Sequence, residues 1–269
     1  MNPLDALFER TRSEGRAALI GYLPAGFPSV AGAVAAMQAM VEGGVDAIEV
    51  GLPYSDPLLD GPTIQDAVDR ALTQGVTTSD VLDTVRAVAA TGVPTMVMSY
   101  WNPIERFGVD RFARELAAAG GSGVITADIT PEEAAAWRDA SAVEGLSRIF
   151  LVAPSSTPER IALTTQASSG FVYAAAVMGV TGARDHVGSA ARELVGRTRA
   201  TTTLPVCVGL GVSTGDQAAE IAAFADGVIV GSAFVRVLLD APTPEAGIDG
   251  VRALASDLRA GVMRGATLS

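Results

Sequence analysis

The chain is poor in the side chains that most often carry chemistry. It has one cysteine, Cys207, and one histidine, His186. A lone cysteine excludes an internal disulfide. One cysteine and one histidine cannot make a zinc site, and nothing in their spacing supports a Cys/His nucleophile pair. No metal is therefore expected. Val206 and Val208 flank Cys207, which marks it as a buried core residue. Positive charge is scarce as well: 19 Lys and Arg against 30 Asp and Glu leave a net charge of −11. That counts against nucleic acid as a partner, because phosphate backbones demand basic surface. A small phosphorylated ligand stays open, since a local nest of backbone N–H groups can hold phosphate within a repulsive overall field. No apolar run approaches the roughly 18 residues of a membrane span. The first residues, with Asp5, Glu9, Arg10, Arg12, Glu14 and Arg16, read as a charged amphipathic helix and not as a signal peptide. A cytoplasmic location without membrane contact is the expectation.

What the chain does have is apolar mass, 49% of 269 residues, and a recurring unit. After an opening helix over 2–14 comes an apolar strand, a short loop and an amphipathic helix, repeated at intervals of about 30 residues, as in βα units. The eight strands are expected at 17–22, 46–51, 94–100, 123–128, 148–152, 170–175, 204–209 and 227–230. The helices between them are expected near 29–42, 63–74, 78–91, 109–119, from Pro131, from Ser155–Glu159, near 189–199, 214–224, from Ser232, and near 245–264. Eight such units without a linker imply a (β/α)8 TIM barrel with an extra N-terminal helix, a single domain over 1–269. A doubly wound open sheet is the alternative, and it would need a dinucleotide loop. Gly209-Leu210-Gly211 begins one, but Thr214 stands where its third glycine belongs.

The stretch from Asp46 to Pro62 organises the rest. Side chains of a strand alternate between faces, so Ile48 and Val50 share one face while Ala47, Glu49 and Gly51 share the other. If Ile48 and Val50 pack under helices, Glu49 points into the barrel, where a carboxylate is costly unless paired, hydrogen-bonded or protonated. The following loop carries Pro53, Pro57 and Pro62, which stiffen it, and the carboxylates Asp56 and Asp60. Glu49 and Asp60 thus form a candidate acid/base pair. The plain alternative is a salt-bridged glutamate and an aspartate that merely caps a turn or helix.

In such barrels function sits at the C-terminal ends of the strands. Tyr22, Glu49, Tyr100, Asn102, Asp128 and Tyr173 stand there, followed by the glycines after strands seven and eight. In Gly209-Leu210-Gly211-Val212-Ser213 and Gly231-Ser232-Ala233 a glycine precedes a helix start. That pattern lets backbone N–H groups approach an anion, at the usual phosphate position of the fold; Gly182 offers a third arm. The segment from about 177 to 188 reads as a long, glycine-containing lid, with His186 solvated upon it.

Several runs are those of a known family. They are Gly51-Leu52-Pro53-Tyr54-Ser55-Asp56-Pro57-Leu58-Leu59-Asp60-Gly61-Pro62-Thr63-Ile64-Gln65, Tyr100-Trp101-Asn102-Pro103-Ile104, Phe150-Leu151-Val152-Ala153-Pro154, Gly179-Val180-Thr181-Gly182-Ala183, Val208-Gly209-Leu210-Gly211-Val212 and Gly227-Val228-Ile229-Val230-Gly231-Ser232-Ala233. On these the chain resembles the tryptophan synthase α subunit over nearly its whole length. Thr130 and Leu210 depart from the residues usual in that family, which touches the pocket lining and not the reaction. The resemblance implies a lyase of tryptophan biosynthesis, which cleaves indole-3-glycerol phosphate to indole and glyceraldehyde 3-phosphate by a retro-aldol step. It implies Glu49 as principal acid/base, Asp60 as its partner, and Tyr22, Tyr100, Tyr173, Thr181 and Leu210 as pocket residues, with Gly182, Gly211, Gly231 and Ser232 holding the phosphate. It further implies no cofactor in this chain, and a pyridoxal-phosphate β subunit as partner in an α2β2 heterotetramer. That partner is expected to face the Pro53–Pro57 loop and the Tyr100–Pro103 region. An indole slot is expected from Tyr22, Phe171, Tyr173 and Leu210. Two other readings compete: a phosphosugar isomerase or epimerase with Glu49 as base, and a non-catalytic activating subunit, which would have lost a carboxylate that this chain keeps.

Overall fold

A computed structural model describes residues 2–176, 184–209 and 211–265. Eight strands run β1 (Ala18–Pro24), β2 (Ala47–Gly51), β3 (Thr95–Ser99), β4 (Gly123–Thr126), β5 (Ser147–Val152), β6 (Val172–Ala175), β7 (Val206–Gly209) and β8 (Gly227–Val230). They pair in parallel, in sequence order, and β8 closes on β1 through Ala18↔Gly227 and Gly21↔Val230. Around them, among the described residues, lie α1 (Pro3–Ser13), α2 (Val30–Glu42), α3 (Pro62–Thr73), α4 (Thr78–Ala89), α5 (Trp101–Phe107), α6 (Val109–Ala118), α7 (Ala135–Glu144), α8 (Pro158–Ala167), α9 (Arg184–Arg199), α10 (Gly215–Ala222), α11 (Ser232–Asp240) and α12 (Pro244–Gly265). This is the closed (β/α)8 barrel expected from the repeat.

Alternation along each strand divides the apolar side chains into two layers. Leu19, Ile48, Val50, Val97, Val124, Val208 and Val228 face outward into the strand–helix layer. Ala18, Ile20, Ala47, Met96, Ile125, Ile149, Phe171, Cys207 and Ile229 fill the barrel. Cys207 is buried there. The lower end is stoppered by α1, whose Leu4, Leu7 and Phe8 join the interior cluster, with the Phe8 ring 5.7 Å from that of Phe171. Asn2 sets this plug: its side-chain oxygen accepts from Leu4 N–H while its amide donates to the carbonyls of Ser122 and Gly145, at 2.9 and 3.0 Å.

Several boundaries differ from those read from the sequence. β1 continues to Pro24, because Pro24 still pairs with Gly51 at the edge of the barrel. β3 stops at Ser99, and the seven-residue α5 follows at once. Its first N–H, from Trp101, is accepted by Asp128 Oδ1 at 2.7 Å, a tertiary cap that local sequence does not announce. Pro131 does not open α7. Residues 130–133 form a turn closed by Glu133 N–H to Thr130 C=O, with Pro131 at the position a turn favours, and the helix begins at Ala135. α9 begins at Arg184, inside the segment expected as a lid.

Candidate active site

The strand that carries Glu49 is fully buried. Its outward residues, Ile48 and Val50, lie under the helices, so the inward face takes Ala47, Glu49 and Gly51. Glu49 is 0% exposed, and neither carboxyl oxygen has a hydrogen-bond partner among the described residues. Removal from water disfavours its charged form and pushes the carboxyl up to about 8. At neutral pH it holds a proton.

Asp60 lies at the end of the loop between β2 and α3 and is half-buried. Burial raises its carboxyl, and a hydrogen bond from Tyr100 opposes part of that rise. The Tyr100 phenol accepts from Leu59 N–H at 2.9 Å and donates to Asp60 Oδ1 at 3.2 Å. Gln65 Nε2 donates to the Asp60 carbonyl at 2.7 Å. The two carboxyls therefore occupy unlike settings: one dry and unpartnered, the other at the mouth and held by a phenol.

A cavity of about 310 Å3 opens between them at the C-terminal end of the barrel. Of the site residues expected from the sequence, Tyr22, Glu49, Asp60, Tyr173, Gly211, Gly231 and Ser232 line it. Tyr100 reaches it through Asp60. Thr181, Gly182 and Leu210 lie outside the described residues, as does most of the expected lid (177–183); His186 belongs to α9. Phe171 does not form the indole slot. It lies at the bottom of the barrel against Phe8, two residues below Tyr173 on the same face. Asn102 and Asp128 also stand apart from the cavity, Asn102 donating to the Tyr54 hydroxyl and Asp128 capping α5. The sequence reading missed Met98, Leu151, Ile229 and Ile64, which give the cavity its apolar walls. Strand alternation places the first three inward; Ile64 belongs to α3, and only the loop's path brings it there.

Two interior glycines make room for the tyrosines. A Cβ at Gly51 would collide with the Tyr22 hydroxyl, and one at Gly209 with that of Tyr173. The two glycine loops after β7 and β8 prove unequal. α10 starts at Gly215, four residues beyond Gly211; Thr214 caps it, and Gly215 N–H is taken by Asp257 at 2.7 Å. α11 starts directly after Gly231 and has no side-chain cap, so its first N–H groups open on the cavity wall at Ser232. An uncapped helix N-terminus favours an anion. Gly211, at φ 69°, contributes a left-handed turn that only glycine takes without strain.

Comparison with known proteins agrees with this geometry. Residues 8–263 match the family model described as "Tryptophan synthase alpha chain". The chain belongs to the tryptophan synthase alpha chain family. A relative from Thermobifida fusca carrying that description is 60% identical over 265 residues, covering 97% of this chain and 98% of its own. One from Streptomyces coelicolor is 61% identical over 252 residues, 93% of each. A solved structure of Mycobacterium tuberculosis tryptophan synthase superposes with a TM-score of 0.90 at 57% identity, over 96% of this chain and 97% of that one. The alpha subunit from Legionella pneumophila does so with 0.88 at 33% identity, over 97% and 98%.

The alpha chain is the lyase subunit of tryptophan biosynthesis that cleaves indole-3-glycerol phosphate to indole and glyceraldehyde 3-phosphate, and this is the activity of the chain. The isomerase reading of the barrel is thereby set aside. Within the family the partner is a β subunit, and the pyridoxal phosphate belongs to that subunit. Among the described residues no helix is long and apolar enough to cross a membrane, and no cluster of three or more His, Cys, Asp and Glu stands ready for a metal ion.

Proposed function

We propose that Glu49 and Asp60 perform the cleavage in one barrel domain spanning 1–269, with the phosphate seated at Gly211, Gly231, Ser232 and Gly182. The observation that carries this reading is the Glu49 carboxyl: fully buried, without a partner among the described residues, and protonated up to about pH 8. Glu49 delivers its proton to indole C3, which turns the ring into a cationic leaving group. The ionised Asp60, at the wetter mouth, stabilises the positive charge that builds on the indole N–H. The Glu49 carboxylate then takes the proton of the neighbouring hydroxyl. The carbon–carbon bond breaks, its electron pair returns to the ring, and the hydroxyl oxygen becomes that of the aldehyde. Carboxyls in unlike settings divide the acid and electrostatic roles in this way. The sequence contains no lysine, so no side-chain amine is present to form a Schiff base with the carbonyl product. Acid/base chemistry is left to the carboxyls. Tyr22, Tyr173, Thr181 and Leu210 wall the pocket in this reading, and Tyr100 holds Asp60.

The chain itself requires no cofactor in this scheme and works in the cytoplasm, docked on the β subunit in an α2β2 assembly. The docking face we assign is the loop after β2 together with the start of α5. Leu58 and Leu59 of that loop are 77% and 58% exposed, apolar side chains that a partner surface would cover. Indole release from indole-3-glycerol phosphate, measured on the chain alone and with its β subunit, tests the assignment. Release in either setting is expected; none in both overturns it.

A further inference from the structure

Tyr22 and Tyr173 line the cavity and Tyr100 adjoins it through Asp60; the three hydroxyls differ in what they are free to do. That of Tyr100 is committed, accepting from Leu59 N–H and donating to Asp60. That of Tyr173 sits over Gly209 beside Glu49. That of Tyr22 has no hydrogen bond among the described residues. The Tyr22 ring runs from Gly231, where an ideal Cβ would stand 3.0 Å from Cδ1, to Gly51, where one would strike the hydroxyl. One end of this ring therefore touches the uncapped start of α11. The other ends above Glu49, because Gly51 follows Glu49 by two residues on the same inward face. A substrate stretched between an anion seat at α11 and a proton donor at Glu49 must pass along it. Burial, then Asp60 and then Glu49, hold the phenol well above its ordinary range, so it remains a donor.

We propose that Tyr22 is a further catalytic residue, whose hydroxyl donates a hydrogen bond to the substrate oxygen that becomes the aldehyde oxygen. This rests on the reading of Glu49 and the α11 phosphate seat given above. The indole N–H is a donor and suits Asp60; the acceptors at the reacting end of the substrate are its glycerol oxygens. As the carbon–carbon bond breaks, the hydroxyl proton passes to the Glu49 carboxylate and negative charge gathers on that oxygen. A donor already aimed at it strengthens its bond in the transition state more than in the bound substrate. Tyr22 itself gives up no proton.

Tyr22→Phe removes this donor and keeps the ring. The expected result is a kcat lower by about 10-fold to 100-fold, the range of a hydrogen bond to a charge-bearing atom, with KM changed less than about 2-fold. The reverse condensation of indole with glyceraldehyde 3-phosphate falls by the same factor. Binding of a substrate analogue with hydrogens in place of the glycerol hydroxyls stays unchanged, because it offers no acceptor there. An unchanged kcat overturns the inference, and so does an equal loss in binding of the deoxy analogue, which would mark Tyr22 as pocket wall only. Glu49→Gln, run alongside, separates the layers: an inactive Glu49→Gln with a fully active Tyr22→Phe sinks Tyr22 alone, whereas an active Glu49→Gln sinks the acid/base reading on which it rests.

Discussion

Asp46, just before β2, and Glu49, in the middle of it, stand three residues apart, and the barrel treats them oppositely. Asp46, at the lower end, is 7% exposed and fully satisfied. Arg16 grips both its oxygens at 2.8 and 2.9 Å, Arg259 donates at 2.9 Å, and Leu19 N–H donates at 2.9 Å. This ties β1, β2 and α12 together. Glu49, further up β2, is more deeply buried and has no hydrogen-bond partner among the described residues. A folded chain normally pairs its buried charges, as this one does at Asp46. The unpaired carboxyl is the one that faces a cavity, which fits the division of a barrel into a structural lower face and a chemical upper face.

That contrast can be broken from either end. Glu49→Gln, which keeps the shape and removes the transferable proton, is expected to lower kcat by more than about 1000-fold and to leave the melting temperature at or above that of the parent; near-parental turnover would sink the contrast. Asp46→Ala should do the reverse. It takes two hydrogen bonds from an Arg16 side chain that is only 2% exposed and leaves it Glu14 and the Ala17 carbonyl, so unfolding is expected to cost about 2–3 kcal/mol less, the range for hydrogen bonds to charged groups. Turnover per folded molecule should survive, and denaturant titration with an assay below the transition checks both. A third expectation concerns Tyr100→Phe, which deletes the donor to Asp60 and the acceptor for Leu59 N–H. A loss of about 5-fold in kcat, one ordinary hydrogen bond, is expected in steady-state kinetics.

The same contrast also sets the pH dependence of stability. Glu49 in the folded chain binds its proton up to about pH 8, against an ordinary value of 4.5. Between those values the native state holds a proton that the unfolded chain has released, so stability falls as pH rises. The contribution is whole below about pH 4.5 and is lost as pH passes about 8. In Glu49→Gln this stretch of the stability curve should flatten, and in the parent kcat should decline above about pH 8 as the acid is lost. A parent and variant with parallel stability curves would show that Glu49 is not the titrating group.

The glycines sharpen the same lesson. Read along the chain, Gly211 and Gly231 look alike, each leading toward a helix. In space they differ, because Asp257 of α12 and Thr214 already satisfy the start of α10, while no side chain among the described residues caps α11. Phe171 and Tyr173 form a similar pair. Both face inward, yet only Tyr173 stands high enough to reach the cavity, since α1 pushes Phe8 against Phe171 from below.

The eight βα units, the inward direction of Glu49 and the family to which the chain belongs were legible along the chain, because period-2 alternation, strand spacing and the Gly51–Gln65 run are local properties. Closure of the barrel settled that Glu49 has no partner among the described residues, that Tyr100 holds Asp60, and which glycine loop leaves an open helix end. Whether a polar group is paired depends on residues dozens or hundreds of positions away, such as the 42 between Gly215 and Asp257 or the 213 between Asp46 and Arg259, and no local pattern records what closure of the barrel will bring beside it.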